Sequence, residues 1–260
     1  MKTKAAFSYQ FKNYLRLFGW TYLWAIVLVV FLPLLIALIL GQIHGFSVAD
    51  YLPRVLPAIV VGSFVFAFGG ITYDGFKLFI QNGIGRKTYF YSKLLALSSI
   101  LLIGELINVV YGVLYTHFIS NRRAAIFAFS SLYGKYFNSK VENTISVIVI
   151  TLLFIVCIMV TGMLLGTILG LFSRRAQMML IVGAPILLII LLAVLMSVNT
   201  QNRLISTWLP QFLLYIIGMS DMSTPQGHFI AFAPMISGSV YIIIVLVTTY
   251  YLTLRLRVPR

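Results

Sequence analysis

The stretch "YDGFKLFIQNGIGRKTYFYSK", Tyr73–Lys93, decides how this chain is read, because it lies between two long apolar segments yet holds Lys77, Arg86, Lys87 and Lys93. Phe76, Phe79 and Ile80 share one face of a helix of 3.6 residues per turn, while Lys77 and Gln81 turn away. Asn82-Gly83 supplies a stop, since asparagine and glycine most readily take the left-handed conformation past a helix end. "IGRKT" then opens a new helix with Arg86 and Lys87 at the level of lipid headgroups. The stretch reads as a short cytoplasmic helix, a tight break and the start of a span. A solvated loop has no use for Phe76 and Phe79, so their rings are expected to be exposed, as a docking knob for a cytoplasmic partner.

Composition sets the surroundings. The chain has 260 residues, 61% hydrophobic and 9% charged, with a mean hydropathy of +1.02, which lies outside the soluble globular range. A hydrocarbon core of about 30 Å needs roughly 20 apolar residues per helix. Six runs qualify: Gly19–Gly41, Val55–Tyr73, Leu94–Ile119, Ile145–Phe172, Met178–Val198 and Gly238–Leu254. Alternating segments of the porin kind are absent. The expected fold is one all-α integral membrane domain of six transmembrane helices, with no nucleotide-binding domain. The first apolar run is too long for the core of a signal peptide, so no cleavable leader is expected.

Six of the nineteen basic residues, Arg54, Arg122, Arg123, Lys135, Lys140 and Arg203, fall on one side of these spans and thirteen on the other. The positive-inside rule then puts both termini in the cytoplasm of a multi-pass membrane protein. Topology and anionic lipid account for the net charge of +14, so no nucleic-acid partner is expected.

Ahead of the first span, Phe7, Phe11, Tyr14, Leu15 and Phe18 form one helical stripe. It reads as an N-terminal interfacial helix, or else as the ragged start of the first span. In the fourth span, "TGMLLGTILG" sets Gly162, Gly166 and Gly170 on one face, the small-xxx-small pattern that lets backbones approach, against a helix of the same chain or of a second subunit. Between the last two spans, Leu204–Met219 is apolar but broken by Pro210, and reads as a re-entrant or extracellular helical segment.

Glu105 stands near the middle of the third span, where a charge costs about 2.5–3.5 kcal/mol, and Asn108 is one turn away on the same face. The pair belongs either to a translocation path or subunit seam, or to a hydrogen-bonded clamp within one bundle. The single cysteine, Cys157, permits no internal disulfide, and His44, His117 and His228 have no ligand-like spacing, so no metal site is expected. "GIGRKT" is not a phosphate loop: Gly-Lys-Thr is not contiguous, and Ile80 stands where the first glycine is required. No cofactor is expected on this chain. Serine elbows, cysteine-histidine pairs and paired carboxylates are also missing, which argues against an intramembrane hydrolase.

"FIQNGIGRKTYFYSKLL" resembles the NG-x-[ST]-R-K-x-x-x-x-S-K-L pattern that follows the second span of ABC-2 type exporter permeases. There the preceding short helix is the coupling helix that docks into an ATPase subunit. Gly85 replaces the usual Ser or Thr, and glycine is a tolerable cap at a cost of a few tenths of a kcal/mol. The resemblance implies a permease that carries no ATPase site itself and works with separate cytoplasmic ATPase subunits, which bind ATP and Mg, and with a second permease copy. It further implies that Phe76, Lys77, Phe79, Ile80, Gln81, Asn82, Gly83, Arg86 and Lys87 form the ATPase-docking element, and that an amphipathic peptide, drug or other lipophilic cargo is moved outward. The rival readings are a non-transporting immunity or sensor protein that binds a peptide, and a secondary transporter. Against the last stand the missing inverted repeat and the scarcity of membrane charges.

Overall fold

The computed structural model describes residues 2–41, 56–118, 129–133, 136–137, 139–199, 211–212, 214–219 and 229–256. Every regular element among them is helical. The order is α1 (Lys2–Ile26), a π-helical turn (Val27–Phe31), α2 (Leu32–Ile39), α3 (Leu56–Gly70), α4 (Tyr73–Gln81), α5 (Arg86–Phe118), α6 (Ser130–Tyr133), α7 (Lys140–Gly170), α8 (Arg174–Asn199) and α9 (Phe232–Arg255).

Four helical stretches are long and apolar enough to cross a membrane: Thr3–Ile39, Arg86–Tyr115, Val141–Gly170 and Phe232–Arg255. A fifth is reached if α3 and α4, bent by 48°, count as one broken span. The chain is thus a helical multi-pass membrane protein, with four or five such spans among its described residues where six were expected. Two differences account for the shortfall. The second expected span, Val55–Tyr73, is helical over Leu56–Gly70 among the described residues before the bend, and those fifteen residues rise about 22 Å, short of a hydrocarbon core. The fifth, Met178–Val198, falls within α8, where the side chains of residues 191–199 lie outside the described set. Of the expected re-entrant segment Leu204–Met219, only residues 211–212 and 214–219 are described; 211–212 and 214–217 are helical, and the Met219 N–H closes onto the Leu214 carbonyl at 2.8 Å.

The N-terminal stripe also corrects an expectation. No break separates an interfacial helix from the first span, because the chain is helical from Lys2 to Ile39. Phe18 is buried, and Phe11 and Tyr14 pack on the main core beside it. Phe11, Tyr14 and Phe18 of the stripe face the protein's own bundle, while Leu15 is exposed. Pro33, which lacks an N–H, enters at the first turn of α2, directly after the wider π turn, a common accommodation of proline in a membrane helix.

The core sits where α1, α3, α5, α7 and α9 meet, around Phe18, Val61, Phe64, Leu97, Met159 and Val245. Its closest seam lies between α3 and α7. A Cβ placed on Gly162 would come within 2.9 Å of the Phe66 Cα, and one on Gly166 within 2.6 Å of the Gly70 carbonyl carbon. Only glycine fits there, so the small-residue face serves packing inside one chain, and Gly170 is buried at its end.

Candidate functional site

The expected helix-break-helix is present. α4 ends in a complete glycine-stop motif: Gly83 has φ 71°, its N–H donates to the Ile80 carbonyl at 3.0 Å, and the Ile84 N–H donates to the Phe79 carbonyl at 3.0 Å. The Asn82 side-chain amide donates to the Leu78 carbonyl at 2.8 Å, beside the Asn82 backbone N–H, which donates to the same oxygen at 3.2 Å. Ile84 folds back onto the same apolar cluster as Phe79, the hydrophobic contact that accompanies this stop.

The orientation of the aromatic face differs from expectation. Phe76 is 0% and Phe79 4% exposed, packed with Ala6, Tyr89 and Leu256. The rings of Phe76 and Tyr89 lie 5.5 Å apart edge-on, and those of Phe79 and Tyr89 5.7 Å apart. These side chains hold α4 against α1, α5 and the end of α9; they are no docking knob. A ring of this size buried in a protein gains about 2 kcal/mol over exposure to water, which explains why the apolar stripe turns inward. The face that α4 and the break present outward is Lys77, Leu78, Gln81, Asn82 and Gly83, continued by Arg86 and Lys87 at the start of α5, while Ile80 is half-buried.

Beneath that surface lies a feature that the sequence reading did not assign. Lys93 is 2% exposed, and its ammonium donates to the Gly69 carbonyl at 2.7 Å, the Ile71 carbonyl at 3.1 Å and the Thr72 hydroxyl at 2.9 Å. These acceptors belong to the bend between α3 and α4, where carbonyls lack intrahelical partners and the dipole of α3 favours a cation. One turn earlier on α5, the Tyr89 hydroxyl donates to the Thr72 carbonyl at 2.8 Å. Two side chains at i and i+4 on α5 therefore fasten the bend from below. The available signal was that spacing: Tyr89 and Lys93 share a helix face, whereas charge counting treats Lys93 only as a membrane-edge cation.

Glu105 and Asn108 are both buried, and the Asn108 amide donates to Glu105 Oε2 at 3.4 Å. The second carboxylate oxygen, Oε1, is buried and without a hydrogen-bond partner. The contact stays within one helix and is long for a hydrogen bond, so it clamps no second helix, and neither residue lines either cavity described next.

Two apolar cavities lie toward the opposite end of the bundle from α4. One, of about 450 Å³, is set between α3 and α7, lined by Gly62, Phe66, Thr151 and Ile158 among others. The other, of about 780 Å³, is framed by α7, α9 and residues 212 and 215–217, with Ile150, Cys157, Tyr215, Val240 and Tyr241 in its walls. Phe129 and Phe154 line both, their rings 5.2 Å apart and edge-on, and form the partition.

The class defined by these observations is a helical multi-pass membrane protein with a short, rigidly mounted helix at one end and apolar cavities at the other. No protein-family model matches the chain, and neither a curated protein nor a solved structure is similar to it.

Proposed function

We propose that the chain is the permease subunit of an ATP-driven exporter of the ABC-2 type, moving an amphipathic peptide, drug or other lipophilic cargo out across the bacterial cytoplasmic membrane. In this reading six spans place both termini in the cytoplasm, a second permease copy completes the pathway, and α4 is the coupling helix on which a separate ATPase subunit docks. The observation that carries it is the mounting of α4. A short helix with Lys77, Leu78 and Gln81 exposed is pinned through Phe76, Phe79, Tyr89 and Lys93 to three longer helices, so a push on its outer face is passed to them rather than absorbed. The apolar cavities favour lipophilic cargo over carbohydrate. Docking is assigned to Lys77, Leu78, Gln81, Asn82, Gly83, Arg86 and Lys87, while Phe76 and Phe79 hold the helix in place.

The test is a mild-detergent pull-down from the native membrane, with wild type beside a Lys77→Glu/Leu78→Asp double variant and co-purifying ATPase activity assayed. Both changes lie on the exposed face, so thermal stability should be unchanged. ATPase activity should accompany wild type and fall at least roughly tenfold in the variant, the loss expected when about 1.4 kcal/mol of docking energy is removed. If none accompanies wild type, the exporter reading fails and a non-transporting binding protein takes its place.

A further inference from the structure

The larger cavity carries an assignment of its own, which does not rest on the transport reading. Its walls are the first half of α9 and the middle of α7, both helices long and apolar enough to lie in the bilayer. Ile236, Val240 and Ile244 line it and are 64%, 51% and 59% exposed. The medium against such surfaces is hydrocarbon, and a concave apolar wall gains dispersion contacts only when a complementary apolar group fills it.

The polar groups of the cavity narrow the occupant further. The Tyr133 hydroxyl donates to the Ile217 carbonyl at 2.6 Å, and the Ser237 hydroxyl to the Ile216 carbonyl at 3.3 Å. The Thr161 hydroxyl donates to the Cys157 carbonyl at 2.6 Å, so in its 2.8 Å contact with Tyr241 the tyrosine is the donor. Three hydroxyls in the walls thus have their protons directed to protein acceptors, which leaves Tyr215, 69% exposed. No charged side chain lines the cavity among the described residues. A sugar, a charged peptide or a polar drug would lose its hydration and find almost no donor in exchange. A hydrocarbon chain loses nothing, and about 780 Å³ lies in the range of ordinary ligand pockets.

We infer that this cavity is a binding site for the acyl chain of a lipid or single-chain amphiphile, held between α7, α9 and residues 212 and 215–217.

Cys157 makes the site directly readable, because it lines the cavity and is the chain's single cysteine. The full chain, transferred from detergent into amphipol, would be labelled with N-(1-pyrenyl)maleimide, alone or with palmitate or dioleoyl phosphatidylglycerol. At a probe concentration about ten times its Kd, mass action should slow labelling roughly tenfold. An Ile236→Trp/Val240→Trp double variant adds bulk at two exposed wall positions and should keep its thermal stability while losing the protection. Protection by palmitate alone would assign the site to a free single-chain amphiphile, and protection by phosphatidylglycerol alone to a resident bilayer lipid. If neither probe slows labelling, or if protection persists in the double variant, the inference is overturned. It is equally overturned if Cys157 is inert to the reagent while native mass spectrometry finds no lipid on the protein, since the cavity would then be closed.

Discussion

At the α4 end of the bundle, Lys93, Tyr89 and Thr72 direct their donors onto carbonyls and a hydroxyl within one bend, and two phenylalanines close over them. Toward the ends where α7 and α9 begin, hydroxyls also close onto backbone, yet cavities of about 450 and 780 Å³ remain between the helices. One end is a joint pinned by polar contacts, and the other is a set of walls with space between them. Polar anchors in low dielectric fix geometry because an unmet partner is so costly. Apolar contacts between helices tolerate a gap that lipid can fill.

The contrast can be broken first at the seam that joins the two ends. Gly166→Val sets a branched side chain against the Gly70 backbone, and overpacking there should cost about 3 kcal/mol or more, read as loss of folded protein in a detergent-denaturation titration. Lys93→Met keeps most of the volume but leaves the Ile71 carbonyl without its donor and the Gly69 carbonyl with the Thr72 hydroxyl alone. It should cost about 2 kcal/mol, with faster amide exchange confined to residues near 69–82, and uniform exchange throughout the molecule would refute the joint. Gly83→Ala forces a Cβ into the left-handed region and should cost about 1 kcal/mol by thermal unfolding, without altering labelling of Cys157 at the far end. Should Gly83→Ala change that labelling, the two ends would be coupled more tightly than their separate chemistries imply.

What could be read from the residues follows from what periodicity encodes. Alternation at 3.6 identified the helix over Phe76–Ile80, glycine and asparagine located its end, and the Gly162/Gly166 face was rightly read as a seam. Periodicity names a face without saying what it meets. In a membrane chain both lipid and protein are apolar, so Phe76 and Phe79 looked like a display surface and proved to be an attachment, and the stripe through Phe11, Tyr14 and Phe18 looked interfacial and proved to be core. Lys93 was hidden for the opposite reason. A lysine near a span end suits the headgroup region so well that nothing in sequence distinguishes it from one bonded to the backbone of another helix. Cavities arise from the mismatch of facing surfaces and leave no local pattern at all.

The division of labour on α4 also bears on how such a chain can change over generations. The residues that mount the helix, Phe76, Phe79 and the Gly83 stop, are separate from those it shows, Lys77, Leu78 and Gln81. Substitutions on the outer face leave the mounting untouched, so that face can be rewritten by a handful of exposed changes while the bundle beneath stays the same. In engineering terms α4 is an exchangeable surface on a fixed frame, open to grafting without a redesign of the bundle.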